Sequence, residues 1–327
     1  MKETKHNLMA CRGIAAFLVV LEHSIIRYPI DLRAQAEWCV ILGNLINSFH
    51  MPLFFLLSGY FTSTKGLGSP QEWLAKHAKR LLLPYLVMGM VDMMPRLLLQ
   101  SLVNNPSNIQ DSLIDIIFYG GYFWFLIAMF LVQLVAAVGV SCGQRKLLFG
   151  ISVVLMISTR LVSFPDLFCI NQAAYYLFFY LLGGYYREFE EWAARKQVLL
   201  NIVSALVFVL FGWMGNRWAN ILVAIAASWL TLQLATQLTR KGKNAVLETA
   251  GKYSLQIYLF NGITLGVART LLVRIEVTSP LILIVGNTAL VLLAETIGIL
   301  ILKQLPGIPV LFGMQTERRR KTGYAAD

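Results

Sequence analysis

Charge is scarce in this sequence. Only 14% of its 327 residues are Asp, Glu, Lys or Arg, against about a quarter in soluble domains. With 57% hydrophobic residues and a mean hydropathy of +0.64, there is too little polar surface to clothe a water-soluble globule, so most of the chain is expected in lipid. Cysteine is also sparse. Cys11, Cys39, Cys142 and Cys169 stand far apart, with neither zinc-ligand spacing nor a disulfide framework, and they read as small apolar filler. There is no Walker loop, no dinucleotide fingerprint and no tandem repeat. No loop between apolar runs is long enough for a second folded domain, and no metal site is expected.

Long apolar runs are abundant. A spanning helix needs about 20 mostly apolar residues, and ten segments approach that: 8–27, 38–61, 81–103, 117–140, 147–163, 172–187, 198–214, 218–238, 253–274 and 280–302. The fold expected is all-α and polytopic, with about ten transmembrane helices. The start, "MKETKHNLMACRGIAAFLVV", lacks a small-residue cleavage site and reads as a retained first membrane helix.

The formal net charge of +11 has a pattern. With the N-terminus placed inside, twenty of the 28 Lys and Arg fall on cytoplasmic segments, five on the opposite side, and three (Arg12, Arg96, Arg269) within spans. Such alternation supports cytoplasmic N- and C-termini. It accounts for the basic pI without nucleic acid, and the partners expected of the surface are membrane lipids. Residues 1–315 are expected to form one transmembrane domain, and 316–327, with "ERRRK", a basic cytoplasmic tail.

Polar residues inside apolar runs carry the functional information, because ionisable groups in lipid are costly. Residues 12–24 read "RGIAAFLVVLEHS". On a helix, Arg12 and His23 lie about 20° apart around the axis and about 16 Å apart along it, so they share a face. A cation low and an imidazole high on one wall suggest a slot, with anion binding below and chemistry above. Glu22 is rotated by about 100° from His23 and is expected to face elsewhere or to graze the same cavity. In "FHMPLFFLLSGYF" (49–61), His50 is a second intramembrane imidazole, Pro52 predicts a kink or break, and Ser58-Gly59 allows close helix contact. "KHAKRLLLPYL" (76–86) places Lys76, His77, Lys79 and Arg80 where the chain re-enters the membrane. They suit either positive-inside anchoring or a polyphosphate cradle, with Pro84 at a helix start whose free N–H groups would add anion affinity. Trp124 in "GGYFWFLIAMF" suits an interfacial belt or a cavity wall. Asp92, Arg96 and Glu295 lie in spans, and "GKYSLQIYLFNG" (251–262) brings Lys252, Ser254, Tyr258 and Asn261.

Five stretches in this order, "RGIAAFLVVLEH", "FHMPLFFLLSGYF", "KRLLLPYL", "YFWFLIAMF" and "GKYSLQIYL", together resemble the acyltransferase-3 family of integral membrane acyltransferases. The resemblance runs nearly the whole chain, and its most specific element is the spacing of Arg12 and His23. It implies transfer of an acyl group, most often acetyl, from acetyl-CoA as co-substrate to a sugar hydroxyl. The acceptor implied is an extracytoplasmic or lipid-linked glycan at the bacterial inner membrane, with glycan-assembly proteins as further partners and no bound cofactor. His23 would be catalytic with Arg12 its partner. Arg80 would be the second basic residue of an Arg-x-x-Arg donor motif whose first position is His77 here, a departure that Lys76 or Lys79 would have to make good. Glu22, His50, Ser58, Trp124 and Tyr258 are the expected acceptor or cavity-lining residues. A glycan or small-anion transporter or flippase is the alternative, since mid-membrane histidines and broken helices serve carriers too.

Overall fold

A computed structural model describes residues 2–26, 31–62, 66–98, 109–162 and 166–314. The protein is all-helical, 87% helix and without strands among the described residues. The helices are α1 (Lys2–Ile26), α2 (Glu37–Thr62), α3 (Pro70–His77), α4 (Leu83–Leu98), α5 (Ile109–Ile114), α6 (Trp124–Ser141), α7 (Arg145–Leu161), α8 (Ile170–Arg195), α9 (Gln197–Phe211), α10 (Ala219–Thr239), α11 (Ala245–Lys252), α12 (Ser254–Arg274) and α13 (Pro280–Gln304).

Seven stretches among the described residues are long and apolar enough to cross a membrane: His6–Ile26, Glu37–Thr62, Ile109–Ser141, Leu167–Arg195, Ala219–Thr239, Ser254–Arg274 and Pro280–Gln304. The remaining three apolar segments of the sequence fall on shorter pieces. α7 has 17 residues and α9 has 15, or about 26 and 23 Å at 1.5 Å per residue, below the ~30 Å of a hydrocarbon core. The third falls on α4, and its last residues, like the Arg96 side chain and the basic tail from 315 onward, lie outside the described residues.

α1 packs against α2, α10, α11, α12 and α13, and α2 packs along α8. Two contacts bring backbone against backbone. A Cβ on Gly59 of α2 would run into the Tyr180 carbonyl of α8, and one on Gly183 of α8 into the Leu56 carbonyl of α2. Gly13 of α1 and Gly251 of α11 meet the Leu247 and Met9 carbonyls in the same way. Without a hydrophobic driving force in lipid, such small-residue seams let helices gain dispersion contact, and here they fix the two walls that carry Arg12 and Ser58. Of the kink or break expected at Pro52, the break is absent: α2 runs unbroken through it.

The backbone is under-wound at two places. Ala78–Leu82 forms a π-helical turn between α3 and α4, and Asp115–Tyr119 forms another between α5 and the start of α6. π-Turns recur at functional sites because they re-aim side chains within a helix. Each of these adjoins a cavity.

Candidate active site

Arg12, about half a turn before the middle of α1, faces a partly open cavity between α1, α2 and α6. Arg80, carried on the first π-turn, faces the same space. Two guanidiniums from separate helices thus share one cavity, an arrangement that favours an anionic, phosphate-bearing ligand. The rest of the wall is mainly apolar, with Met51, Phe54, Leu57 and Phe61 of α2, Phe125 and Met129 of α6, and Leu81 and Leu255. Its polar members are Ser58, Gln133, Ser254 and Tyr258. Gln133 Nε2 donates to Ser58 Oγ at 3.2 Å. Ser254 Oγ is buried without a hydrogen-bond partner among the described residues, which leaves it available to a ligand. A long apolar arm with a few amide groups and phosphates at one end matches this lining.

His23 sits higher on α1, its side chain 16% exposed. Asn261 of α12 is fully buried and holds its Nδ2 2.9 Å from His23 Nδ1. A carboxylate oxygen of Glu22 lies 3.6 Å from His23 Nε2. The imidazole faces the Tyr122 ring, centroids 5.7 Å apart. Tyr122 stacks on Tyr258 at 6.2 Å and 15°, and the Tyr258 hydroxyl donates to the Tyr122 carbonyl at 3.0 Å. The expected open slot from Arg12 to His23 is therefore interrupted. His23 does not line the basic cavity, and the Tyr122–Tyr258 pair stands between them.

Asn261 decides the histidine tautomer. An amide nitrogen towards Nδ1 donates into the ring and puts the imidazole proton on Nε2. Turning the amide by 180° presents Oδ1, which accepts from Nδ1–H and leaves the Nε2 lone pair exposed. A base that collects its proton on Nε2 needs the second arrangement, and Asn261 Oδ1 has no other partner among the described residues.

Several expected site residues are placed elsewhere. Glu22, expected to face elsewhere or to graze the cavity, is 4% exposed, does not line the basic cavity and brings a carboxylate oxygen near His23. His50 is buried off the cavity, its Nδ1 donating to the Ile46 carbonyl at 2.8 Å, a local back-bond on its own helix. Trp124 stacks on Tyr176 at 5.7 Å and does not line the cavity. Lys76 and Lys79 point to the surface. His77 stacks on Trp73 at 3.9 Å and hydrogen-bonds the Trp73 carbonyl. Burial first, then the neighbouring Lys76 and Arg80 charges, hold its pKa below the ordinary histidine value. It is neutral at pH 7 and brings no charge to a donor site, so the guanidiniums on the cavity are Arg12 and Arg80. Pro84 follows a π-turn continuous with the helix before it, so no free helix N-terminus exists there. Ser58 and Tyr258 do line the cavity.

Of the partners around the site, Tyr122 and Gln133 escaped notice in the sequence. Gln133 is a lone amide in the apolar run of α6, which is the signal that marks it. Tyr122 looks like any interfacial aromatic. Asn261 drew attention only as an amide inside a span. A polar layer also lies behind His23: buried Arg269 donates to the Ser24 carbonyl, and Ser24 Oγ meets Thr288 and Asn287 at 3.1 and 3.4 Å.

Fold and site together define a multi-pass helical membrane protein with a basic cavity below a half-buried imidazole. A family model described as an acyltransferase domain, that of the acyltransferase-3 family, matches residues 5–301, whereas no curated protein and no solved structure matches the chain. The chain belongs to the acyltransferase-3 family and is an acyltransferase.

Proposed function

We propose that the protein is a membrane O-acyltransferase that takes an acyl group, acetyl in the first instance, from cytoplasmic acyl-CoA and delivers it to a sugar hydroxyl of an extracytoplasmic or lipid-linked glycan. The observation that carries this reading is the shared cavity of Arg12 and Arg80, with its apolar wall leading to Tyr258 and, one ring further, to His23. Both guanidiniums would hold the phosphates of CoA, and the pantetheine arm would lie along Phe54, Leu57 and Met129. For the thioester to meet His23, the Tyr258 ring must swing, which breaks its hydrogen bond to the Tyr122 carbonyl.

His23 then acts as general base. Its Nε2 takes the proton of the acceptor hydroxyl as the hydroxyl oxygen bonds to the thioester carbonyl carbon. Collapse of the tetrahedral intermediate breaks the carbon–sulfur bond, and the imidazolium returns the proton to the departing thiolate. Glu22, 3.6 Å from Nε2, stabilises the imidazolium, and Asn261 holds Nδ1–H. General base catalysis of this kind contributes about 10²–10⁴ in rate.

The test uses purified protein in lipid nanodiscs with labelled acetyl-CoA and the glycolipid fraction of the producing cells. Label passes to the glycan with wild type and not with His23→Ala. A folded His23→Ala protein with full transfer removes His23 from the reaction. Absence of any acetyl-CoA-dependent transfer by wild type favours the transporter alternative.

A further inference from the structure

A second cavity lies on the other side of the aromatic stack. It is an open cleft lined by Asp92, Ser112, Asp115, Gly120, Gly121 and Tyr122, among others. We propose that this cavity is the acceptor subsite, built to bind one hydroxyl-rich saccharide ring and present it to His23. The proposal rests on the acyltransferase reading above.

The two cavities are strung along the same two helices. The basic one uses Arg80 and Leu81 at the start of the α4 segment with Met129 and Gln133 of α6. The second uses Gly89, Asp92 and Met93 of α4 with Gly120 to Phe123, which lead into α6. Arg80 and Asp92 are separated by about 18 Å of helix rise. The second cavity is therefore displaced towards the end opposite the basic one, where a substrate that never meets the CoA nucleotide would enter.

The two cavities share a wall. Tyr122 lines the second cavity, faces the His23 ring at 5.7 Å and stacks on Tyr258, which lines the first. A ligand in either cavity is one aromatic ring away from the same imidazole.

Carboxylates accept charge-assisted hydrogen bonds from sugar hydroxyls, and Ser112 can both donate and accept. The faces of Tyr122 and Phe123 suit the C–H face of a sugar ring. Asp92 and Asp115 also repel the phosphates of CoA, so charge sorts the two substrates between the two cavities. The backbone is shaped for this. The second π-turn carries Asp115, and Gly120 and Gly121 follow with φ of 77° and 48°. A Cβ on Gly121 would stand 2.8 Å from Asp115 Oδ2, so the bare glycine keeps that carboxylate against the cavity floor.

The experiment has two readouts: acyl content of cell-surface glycans by mass spectrometry in producing cells, and acetyl-CoA affinity of purified protein by equilibrium dialysis. Variants are Asp92→Asn, Asp115→Asn, the double Asn variant and His23→Ala. Each Asp→Asn change keeps shape and removes charge. Glycan acylation is expected to fall at least about tenfold in the double variant, as for loss of hydrogen bonds to a charged group, with the acetyl-CoA Kd within about twofold of wild type. Unchanged acylation overturns the proposal. So does an equal loss of acetyl-CoA binding, which would make the cavity part of the donor site or of the folded frame. If wild-type and His23→Ala cells carry the same glycan acylation, the acyltransferase reading itself fails, a result distinct from failure of the Asp variants alone.

Discussion

The two cavities differ in sign and agree in construction. Each is lined in part by a π-turn that carries one of its two charged residues, Arg80 in one and Asp115 in the other, and each meets the Tyr122–Tyr258 stack. One is basic and lined by long apolar side chains; the other is acidic, smaller and floored by glycine. If the proposed reading holds, one imidazole serves two substrates of unlike polarity without a continuous channel, and the closed pair of rings would limit hydrolysis of the thioester by water from the acceptor side.

The sharpest way to break this contrast is to remove charge from the basic side. Arg80→Ala and Arg12→Ala should each raise the KM for acetyl-CoA by about 10–100-fold, the worth of a charge-assisted hydrogen bond to phosphate, with acceptor dependence unchanged. Steady-state kinetics at saturating acceptor checks this, and equal loss in both substrates would show that the cavities are not separate.

Next in size is the histidine tautomer. Asn261→Leu removes the group that orients Nδ1 and should lower kcat about tenfold while leaving the acetyl-CoA KM within about twofold. Asn261→Gln should not restore full activity, because its longer arm moves the amide off the ring. A lowered acetyl-CoA affinity in Asn261→Leu would place Asn261 in the donor site instead.

A smaller effect is expected at the stack. Tyr258→Phe keeps the ring and removes its hydrogen bond to the Tyr122 carbonyl, worth about 1 kcal/mol. Opening becomes easier, so acetyl-CoA hydrolysis without acceptor should rise by about fivefold, read by thiol release. No rise would mean that the stack is not the barrier.

Least is expected at His77. Its neutral ring stacks on Trp73 outside the cavity, so His77→Phe should change the acetyl-CoA KM by less than about twofold. The depressed pKa has a sign for stability. The neutral form is favoured in the fold, so its contribution is complete above the ordinary histidine pKa of about 6.5 and is lost as pH falls below it. Wild type should therefore lose more thermal stability than His77→Phe between pH 7 and pH 5.

The all-helical membrane fold was legible from hydropathy, since an 18-residue apolar helix is dictated by bilayer thickness alone. Arg12, Arg80, Ser58 and Tyr258 could be found because a charge or hydroxyl in an apolar run stands out. What remained hidden depends on tertiary packing. Helical angle left Glu22 either facing elsewhere or grazing the cavity, and only the packed structure shows its carboxylate 3.6 Å from His23 Nε2. His50 stood out as a second intramembrane imidazole and possible cavity-lining residue, but it is buried off the cavity and bonded to the Ile46 carbonyl of its own helix. The placement of His77 on Trp73 within one turn of helix was readable in principle, as an aromatic four residues ahead of a histidine. The second cavity was not, because Asp92 and Asp115 come from separate segments that meet only through the fold.

The central claim is that donor and acceptor reach His23 from opposite sides of the Tyr122–Tyr258 pair. A cryo-EM structure in nanodiscs with a non-hydrolysable acetyl-CoA thioether tests it most directly. CoA phosphates against Arg12 and Arg80, with the acyl end beside a displaced Tyr258 and next to His23, is the result predicted. CoA seated among Asp92 and Asp115, or anywhere with Tyr258 still closed over an acyl group out of reach of His23, would contradict it.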